Sequence, residues 1–205
     1  GNNEENITIF ALYLCSGFLA WHAATECTIF GTNALSNNAV YLKKLPIPEQ
    51  VFITKEAIVA TYSLVISFLI LCVLSIFFKH YPSWIWALLP LPLVLFQIFA
   101  FGLALFLGII NTFFKDVGHV LPIIFQIWFW LTPIVYPVSI LPEVMQKLIF
   151  FNPAFYYIKA IREIFLSHQF PEIELWVSMF GWSLASPLIG YLALKRLRPE
   201  IRDCI

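Results

Sequence analysis

Long apolar runs, each closed by a short polar stretch, divide this chain into blocks of the length that crosses a bilayer. Residues 7–30 are apolar apart from Thr8, Ser16, His22, Thr25, Glu26 and Thr28. A polar stretch, 31–55, follows and carries Asn33, Asn37, Asn38, Lys43, Lys44 and Glu49, with Pro46 and Pro48. Residues 57–78 hold no charge, and at about 1.5 Å per residue they are long enough for a hydrocarbon core of roughly 30 Å. A hydrophilic turn, Lys79 to Pro82, leads to a third block, 84–110, with Pro90 and Pro92 near its start. Proline there marks a first helical turn or a kink. Small residues recur in this block at Ala100, Ala104 and Gly108, a spacing that lets helix backbones approach closely in lipid.

After the loop 111–116, a fourth block covers 117–136 and stops at Pro137. The stretch 138–171 differs, because Pro142, Glu143, Lys147, Asn152, Pro153, Lys159, Arg162 and Glu163 interrupt it. It predicts two short helices, 142–151 and 153–167, broken at Asn152–Pro153 and each too short to span, which reads as re-entrant or interfacial. A last uncharged block, 175–194, precedes a basic tail. The pattern therefore predicts an all-α membrane protein, a polytopic helical bundle with five visible spans plus two short re-entrant helices, in a single domain over 1–205.

Composition supports the bilayer as solvent. Hydrophobic residues make up 60% of the chain and charged ones 12%, with a mean hydropathy of +0.84, whereas soluble domains carry about a quarter charged residues. The net charge is zero, which argues against a nucleic-acid partner, since phosphate binding needs a clustered basic excess. The four cysteines show no paired spacing, so neither a zinc site nor a disulfide framework is implied. Five spans alternate sides. With 31–55 in the cytoplasm, that side holds Lys43, Lys44, Lys55, Lys115, Lys195, Arg196, Arg198 and Arg202, against Lys79, Lys147, Lys159 and Arg162 outside. The positive-inside rule favours this orientation. The chain begins on Gly1 with a polar lead and no basic n-region. It is expected to start in an outer loop, with a further span upstream.

Motifs for chemistry are sparse. There is no P-loop, GxSxG, HExxH or dinucleotide fingerprint, so work against a gradient would draw its energy from a partner or an ion. His22 and Glu26 share a helix face four residues apart. They read either as a proton relay or half of a metal site, or as a polar pair near the cytoplasmic end. Tyr and Trp gather at block ends. An interfacial aromatic belt accounts for most of them, while Trp128, Trp130 and Tyr136 fit equally a conduit in which flat rings carry sugar faces.

The run Asn111-Thr112-Phe113-Phe114-Lys115-Asp116-Val117, then Phe129-Trp130-Leu131-Thr132-Pro133-Ile134-Val135-Tyr136-Pro137, then Asn152-Pro153 and Arg162 resembles the ABC-2 type permeases that export O-antigen, capsular and teichoic-acid polymers. Lys43-Lys44-Leu45-Pro46-Ile47-Pro48 is similar to that family's basic, proline-containing first cytoplasmic loop. Two positions depart from the pattern: Lys115 stands where Arg is usual, and Ile161 precedes Arg162 where Tyr is common. The resemblance implies six spans in the intact protein, a homodimer, and separate nucleotide-binding ABC ATPase subunits that bind ATP and Mg²⁺, with no cofactor in this chain and no enzymatic site of its own. It implies that 31–55 is a cytoplasmic coupling segment, in which Asn38, Lys43, Lys44 and Pro46 meet the ATPase together with Lys115 and Asp116. It also implies that 138–171 is an outer gate, and that Trp128, Trp130, Tyr136, Asn152, Lys159 and Arg162 belong to a conduit or gate for a glycan substrate. Charges on a proline-broken segment at membrane depth suggest a water-filled vestibule. Competing readings are an ABC-2 permease for a drug or other small hydrophobic cargo, an ion-coupled secondary carrier, and a membrane-embedded enzyme such as a glycosyltransferase.

Overall fold

The computed structural model describes residues 2–44 and 47–204, with side chains placed for 7–44, 47–198 and 200. Helices dominate and no strand occurs among the described residues. In chain order they are α1 (Asn2–Asn37), α2 (Ala39–Lys44), α3 (Gln50–Phe77), α4 (Pro90–Phe113), α5 (Val117–Leu131), α6 (Glu143–Leu148), α7 (Pro153–Phe165) and α8 (Ile173–Cys204). Four helical stretches, Ile7–Asn37, Gln50–Phe77, Trp84–Phe113 and Ile173–Arg198, are long and apolar enough to cross a membrane. The protein is thus an all-α, multi-pass membrane protein.

The 117–136 block differs from expectation. Its helix stops at Leu131 after 15 residues, about 22 Å at ~1.5 Å per residue, short of the roughly 30 Å core. The cause is Pro133, which drives the residue before it out of the helical region. Thr132 accordingly sits at φ −95°, ψ 132°. The break at Asn152–Pro153 falls where expected. Asn152 is extended, its side chain accepts from the Ala154 backbone N–H, and Pro153 opens α7. That combination of side-chain cap and proline at the first helical position satisfies or removes donors that have no helical partner.

α4 occupies the centre, packed against α1, α3 and α8, and most of its side chains are buried. The small-residue stripe faces α1. Ala104 lies over Gly31, Gly108 approaches the Gly31 carbonyl, and the Thr28 hydroxyl donates to the Ala100 carbonyl at 3.4 Å. A second close seam, against α8, runs down the far side of α4. Ser183 and Ser186 donate to the Leu95 and Phe99 carbonyls at 2.8 and 2.9 Å, and Gly190 abuts the Gly102 carbonyl. Each serine supplies a donor to a helix carbonyl that already bonds within its own helix, and each glycine removes the Cβ that would hold the two backbones apart.

One end of the bundle gathers the end of α1, the α4–α5 turn, the start of α3 and the end of α8. The other end gathers His80, Trp86, Phe165 and His168. The basic residues expected in the cytoplasm from α2, the α4–α5 turn and α8 therefore share one end, opposite Lys79.

At that opposite end the His80 and His168 rings stack at 4.8 Å, and His80 Nε2 and Trp86 Nε1 both bond the Phe165 carbonyl, at 2.7 and 3.1 Å. Burial, and then the adjacent His80, lowers the pKa of His168 below its ordinary 6.5. The folded state thus prefers the neutral ring. Below pH 6.5 the unfolded chain takes up a proton that the folded one resists, so this contribution to stability is present above that value and falls as the pH drops through it. Thermal unfolding in detergent should show a midpoint that falls on acidification from about pH 7.5 to 5.5, with a shallower fall in His168→Asn, because Asn tolerates the left-handed backbone at φ 50° without titrating. An equal slope in the variant would place the acid sensitivity elsewhere.

Candidate functional site

Two polar knots hold the residues that the sequence singles out, one at the end that gathers the basic residues and one about halfway along the bundle, level with Trp21, Gly102 and Ser186. At the end that gathers the basic residues, called inner for its expected orientation, the Asn38 side chain donates to the Ala34 carbonyl at 2.8 Å and finishes α1. The chain then re-enters a helix as α2, which buries Leu42 and leaves Lys43 and Lys44 exposed in its last turn. Pro46 lies outside the described residues. Lys115 and Asp116 are exposed on the turn between α4 and α5, and the Asp116 carbonyl accepts from the His119 and Val120 backbones as α5 begins.

Buried Asn111 joins these two inner features. Its amide nitrogen donates to the Thr32 carbonyl at 3.2 Å and to Asn33 Oδ1 at 3.3 Å, and its Oδ1 accepts from the Gly118 backbone at 2.8 Å. A side chain at Gly118 would run into Asn33 Oδ1. One amide thereby ties the end of α1 to the start of α5, so both exposed basic patches stand on a single rigid base. Glu49 completes the inner end. It has no solvent exposure, and its Oε2 lies 2.9 Å from Nε of Arg198 on α8. Sequence reasoning placed Asn111 in a motif without its bonds and did not single out Glu49 or Arg198 as a pair. No local signal links residues so far apart in the chain.

At the outer knot, Asn152 bridges the two helices it separates in sequence. Its Oδ1 accepts from Trp128 Nε1 at 2.9 Å, and its amide donates to Thr132 Oγ1 at 2.8 Å, while Thr132 donates back to the Trp128 carbonyl. Trp128, Tyr136 and Asn152 share the lining of a cavity of about 360 Å³ with Leu131, Leu141 and Met145. Trp128 also meets Trp21 of α1 edge-on at 5.3 Å. Trp130 points away from this cavity, 59% exposed, and its carbonyl accepts from the Tyr136 hydroxyl.

Arg162 is 9% exposed and directs both terminal nitrogens at backbone, while its Nε is buried without a hydrogen-bond partner among the described residues. Nη1 donates to the Pro133 carbonyl at 2.7 Å, Nη2 donates to the carbonyls of Ile134 and Tyr13, and the guanidinium lies 3.5 Å over the Tyr13 ring. Gly17 makes room for it, since a Cβ there would sit 2.6 Å from Nη2. Arg162 thus clamps α7 to the turn after α5 and to α1, where the sequence suggested a charge facing water. Lys159, half-buried, pairs with Glu163 one turn on at 3.6 Å. His22 is exposed and no hydrogen bond joins it to Glu26 among the described residues.

The arrangement brings Asn38, Lys43 and Lys44 to the same end as Lys115 and Asp116, and joins Trp128, Tyr136, Asn152 and Arg162 through the segment 132–136. Lys159 and Trp130 lie outside that second group. An end with exposed basic side chains on a rigid base can dock an acidic or nucleotide-driven partner. A bridged, proline-broken segment that does not span can change its packing without unfolding a span.

Known proteins resemble this chain in sequence. The chain is 26% identical over 204 residues to the O-antigen export system permease protein RfbA of Myxococcus xanthus, covering 98% of this chain and 78% of that protein. It is 23% identical over 160 residues to the O-antigen export system permease protein RfbA of Klebsiella pneumoniae, covering 77% of this chain and 61% of that protein. The family model for the ABC-2 type transporter matches residues 2–166, and the chain belongs to the ABC-2 type transporter family.

Proposed function

We propose that the chain is the membrane-spanning permease subunit of an ATP-driven exporter that moves a polysaccharide or lipid-linked glycan of the O-antigen type across the bacterial cytoplasmic membrane. The observation that carries this reading is likeness along nearly the whole chain to an O-antigen export permease, within a matched ABC-2 family. The site geometry supports it. Hydrolysis of ATP with Mg²⁺ belongs to a separate ABC ATPase subunit, which meets Lys43 and Lys44 of α2 and the Lys115–Asp116 turn. Those two patches move together because Asn111 binds both of their supports. Two permease copies face each other, and the glycan passes between them.

On this reading α5, α6 and α7 form a re-entrant unit at the outer side. α5 reaches only part of the way across, and α7 returns the chain outward with its polar backbone ends capped by Asn152 and covered by protein, as irregular backbone at membrane depth requires. Nucleotide-driven closure of the ATPase pair displaces α2, tilts the spans, and repacks the Trp128–Asn152–Thr132 bridge to open the path.

The test is co-expression with candidate ABC ATPase subunits from the same genome, followed by reconstitution in nanodiscs and measurement of ATP hydrolysis with and without a lipid-linked glycan. Stable association and glycan-stimulated turnover support the exporter. Failure to associate with any ATPase removes it. Lys43→Glu with Lys44→Glu should lower co-purification of the ATPase by about tenfold, as expected where charge reversal turns an attraction at an interface into a repulsion. Unchanged recovery would show that α2 is not the dock.

A further inference from the structure

Glu49 and Arg198 join two parts of the chain that are 149 residues apart, at the inner end where the ATPase is placed. Glu49 lies within the coupling segment and leads directly into α3. Its carboxylate is wholly buried and lies 2.9 Å from an arginine that is half-exposed. A carboxylate leaves water at a high cost unless a cation meets it. Charge, not packing alone, therefore holds the end of this segment on α8.

From that point α8 runs outward packed on α4, first through buried Leu194 and then through polar and backbone contacts. Gly190 rests on the Gly102 carbonyl, and Ser186 and Ser183 bond to carbonyls of α4. Beside Ser183, buried Tyr157 of α7 donates to the Met179 carbonyl at 3.0 Å and lies 2.8 Å from the Ser183 hydroxyl. Five residues further on in α7, Arg162 grips the Pro133 and Ile134 carbonyls. α8 thus touches the coupling segment at one end and the helix of the outer knot at the other.

We propose that the Glu49–Arg198 pair is a latch that passes displacement of the coupling segment to α8, and through Tyr157 to α7, so that both residues are positioning residues for opening the outer end. This rests on the exporter reading above. A physical route of this kind has content only if its loss uncouples the two ends while each end keeps its own behaviour.

The experiment uses the full-length permease in complex with its ATPase in nanodiscs, which leave both faces open to solution, with Cys15, Cys27, Cys72 and Cys204 replaced by Ser. One reporter, Ala160→Cys, is set on the buried face of α7. Labelling by a membrane-impermeant maleimide is compared with and without ATP and vanadate, alongside ATPase recovery and unfolding temperature. The latch requires that ATP raise labelling in the parent, and that Arg198→Gln cut that rise about fivefold or more, within the range of coupling between paired residues, while the ATPase stays bound. Arg198→Lys, which keeps the charge, should restore most of the rise, and Arg196→Gln, which removes a neighbouring exposed charge, should leave it intact. Glu49→Gln should match Arg198→Gln. If burial prevents Glu49→Gln from folding, the arginine series carries the test alone. A full ATP response in Arg198→Gln, or none in the parent complex, overturns the latch. A parent that binds no ATPase removes the exporter reading and the latch with it.

Discussion

Arg162→Ala is expected to destabilise the protein by about 3–5 kcal/mol, the range for removing one member of a buried charged contact. The guanidinium is the donor for three backbone carbonyls, those of Tyr13, Pro133 and Ile134, on two separate elements. Once it is gone, water reaches them poorly, and each unsatisfied buried acceptor costs about 1–3 kcal/mol. The cation–π contact with Tyr13 is lost as well. Arg162→Lys should recover less than half of the loss, because a point charge cannot span divergent carbonyls and also lie flat on a ring. Thermal unfolding in nanodiscs reads the stability, and limited proteolysis within 132–141 reads the release of the turn. A variant that melts with the parent and resists cleavage equally would show that the clamp is dispensable.

The size of that expectation could not have been read from the sequence, which marks Arg162 as a charge on a proline-broken segment and, by resemblance, as a conduit or gate residue. Its acceptors come from residues 28, 29 and 149 positions away, and they are backbone atoms, which leave no mark on side-chain pattern. Features governed by neighbours were legible. Pro90 opens α4, Asn152 and Pro153 start α7, and the uncharged run 57–78 lies within α3 except for its last residue. The length of α5 was not, even though its stop is local. Apolar residues continue through Tyr136 and carry the hydropathy past Pro133, and the proline's effect on Thr132 outweighs them. The Ala100–Ala104–Gly108 stripe was legible as a period, and it packs on α1. Ser183, Ser186 and Gly190 hold an equally clear spacing of three and four on α8, but within an apolar block a serine is equally at home bonded to its own helix.

The inner and outer knots share one design. Each has a single asparagine whose amide bonds two elements at once, Asn111 between α1 and α5 and Asn152 between α5 and α7. An amide is well suited to this place, since it offers donors and acceptors without a charge to desolvate. α5 lies between the two, fixed at its start by Asn111 and at its end by Asn152. A short helix held by polar joints at both ends can tilt as a unit while the longer helices keep their packing.

Gly102→Ala is expected to cost about 3 kcal/mol or more, combining overpacking with lost interhelical hydrogen bonds. The added Cβ would fall on the Pro187 backbone nitrogen and the Ser186 carbonyl carbon. Backbone cannot rotate away as a side-chain tip can, so α4 and α8 must separate along their whole seam. Ser183 and Ser186 then lose the carbonyls of Leu95 and Phe99. The control lies on α8 itself. Gly181 has nothing within 4 Å of a built Cβ, so Gly181→Ala should be neutral or stabilising by up to about 1 kcal/mol through helix propensity alone. Both alanines add the same methyl group to the same bundle, and they differ only in what that methyl meets. Unfolding midpoints of the two variants in nanodiscs should therefore move apart, Gly102→Ala down and Gly181→Ala level or up. Equal midpoints would mean that the α4–α8 seam has slack, and that α8 is not held closely enough to carry motion from one end of the bundle to the other.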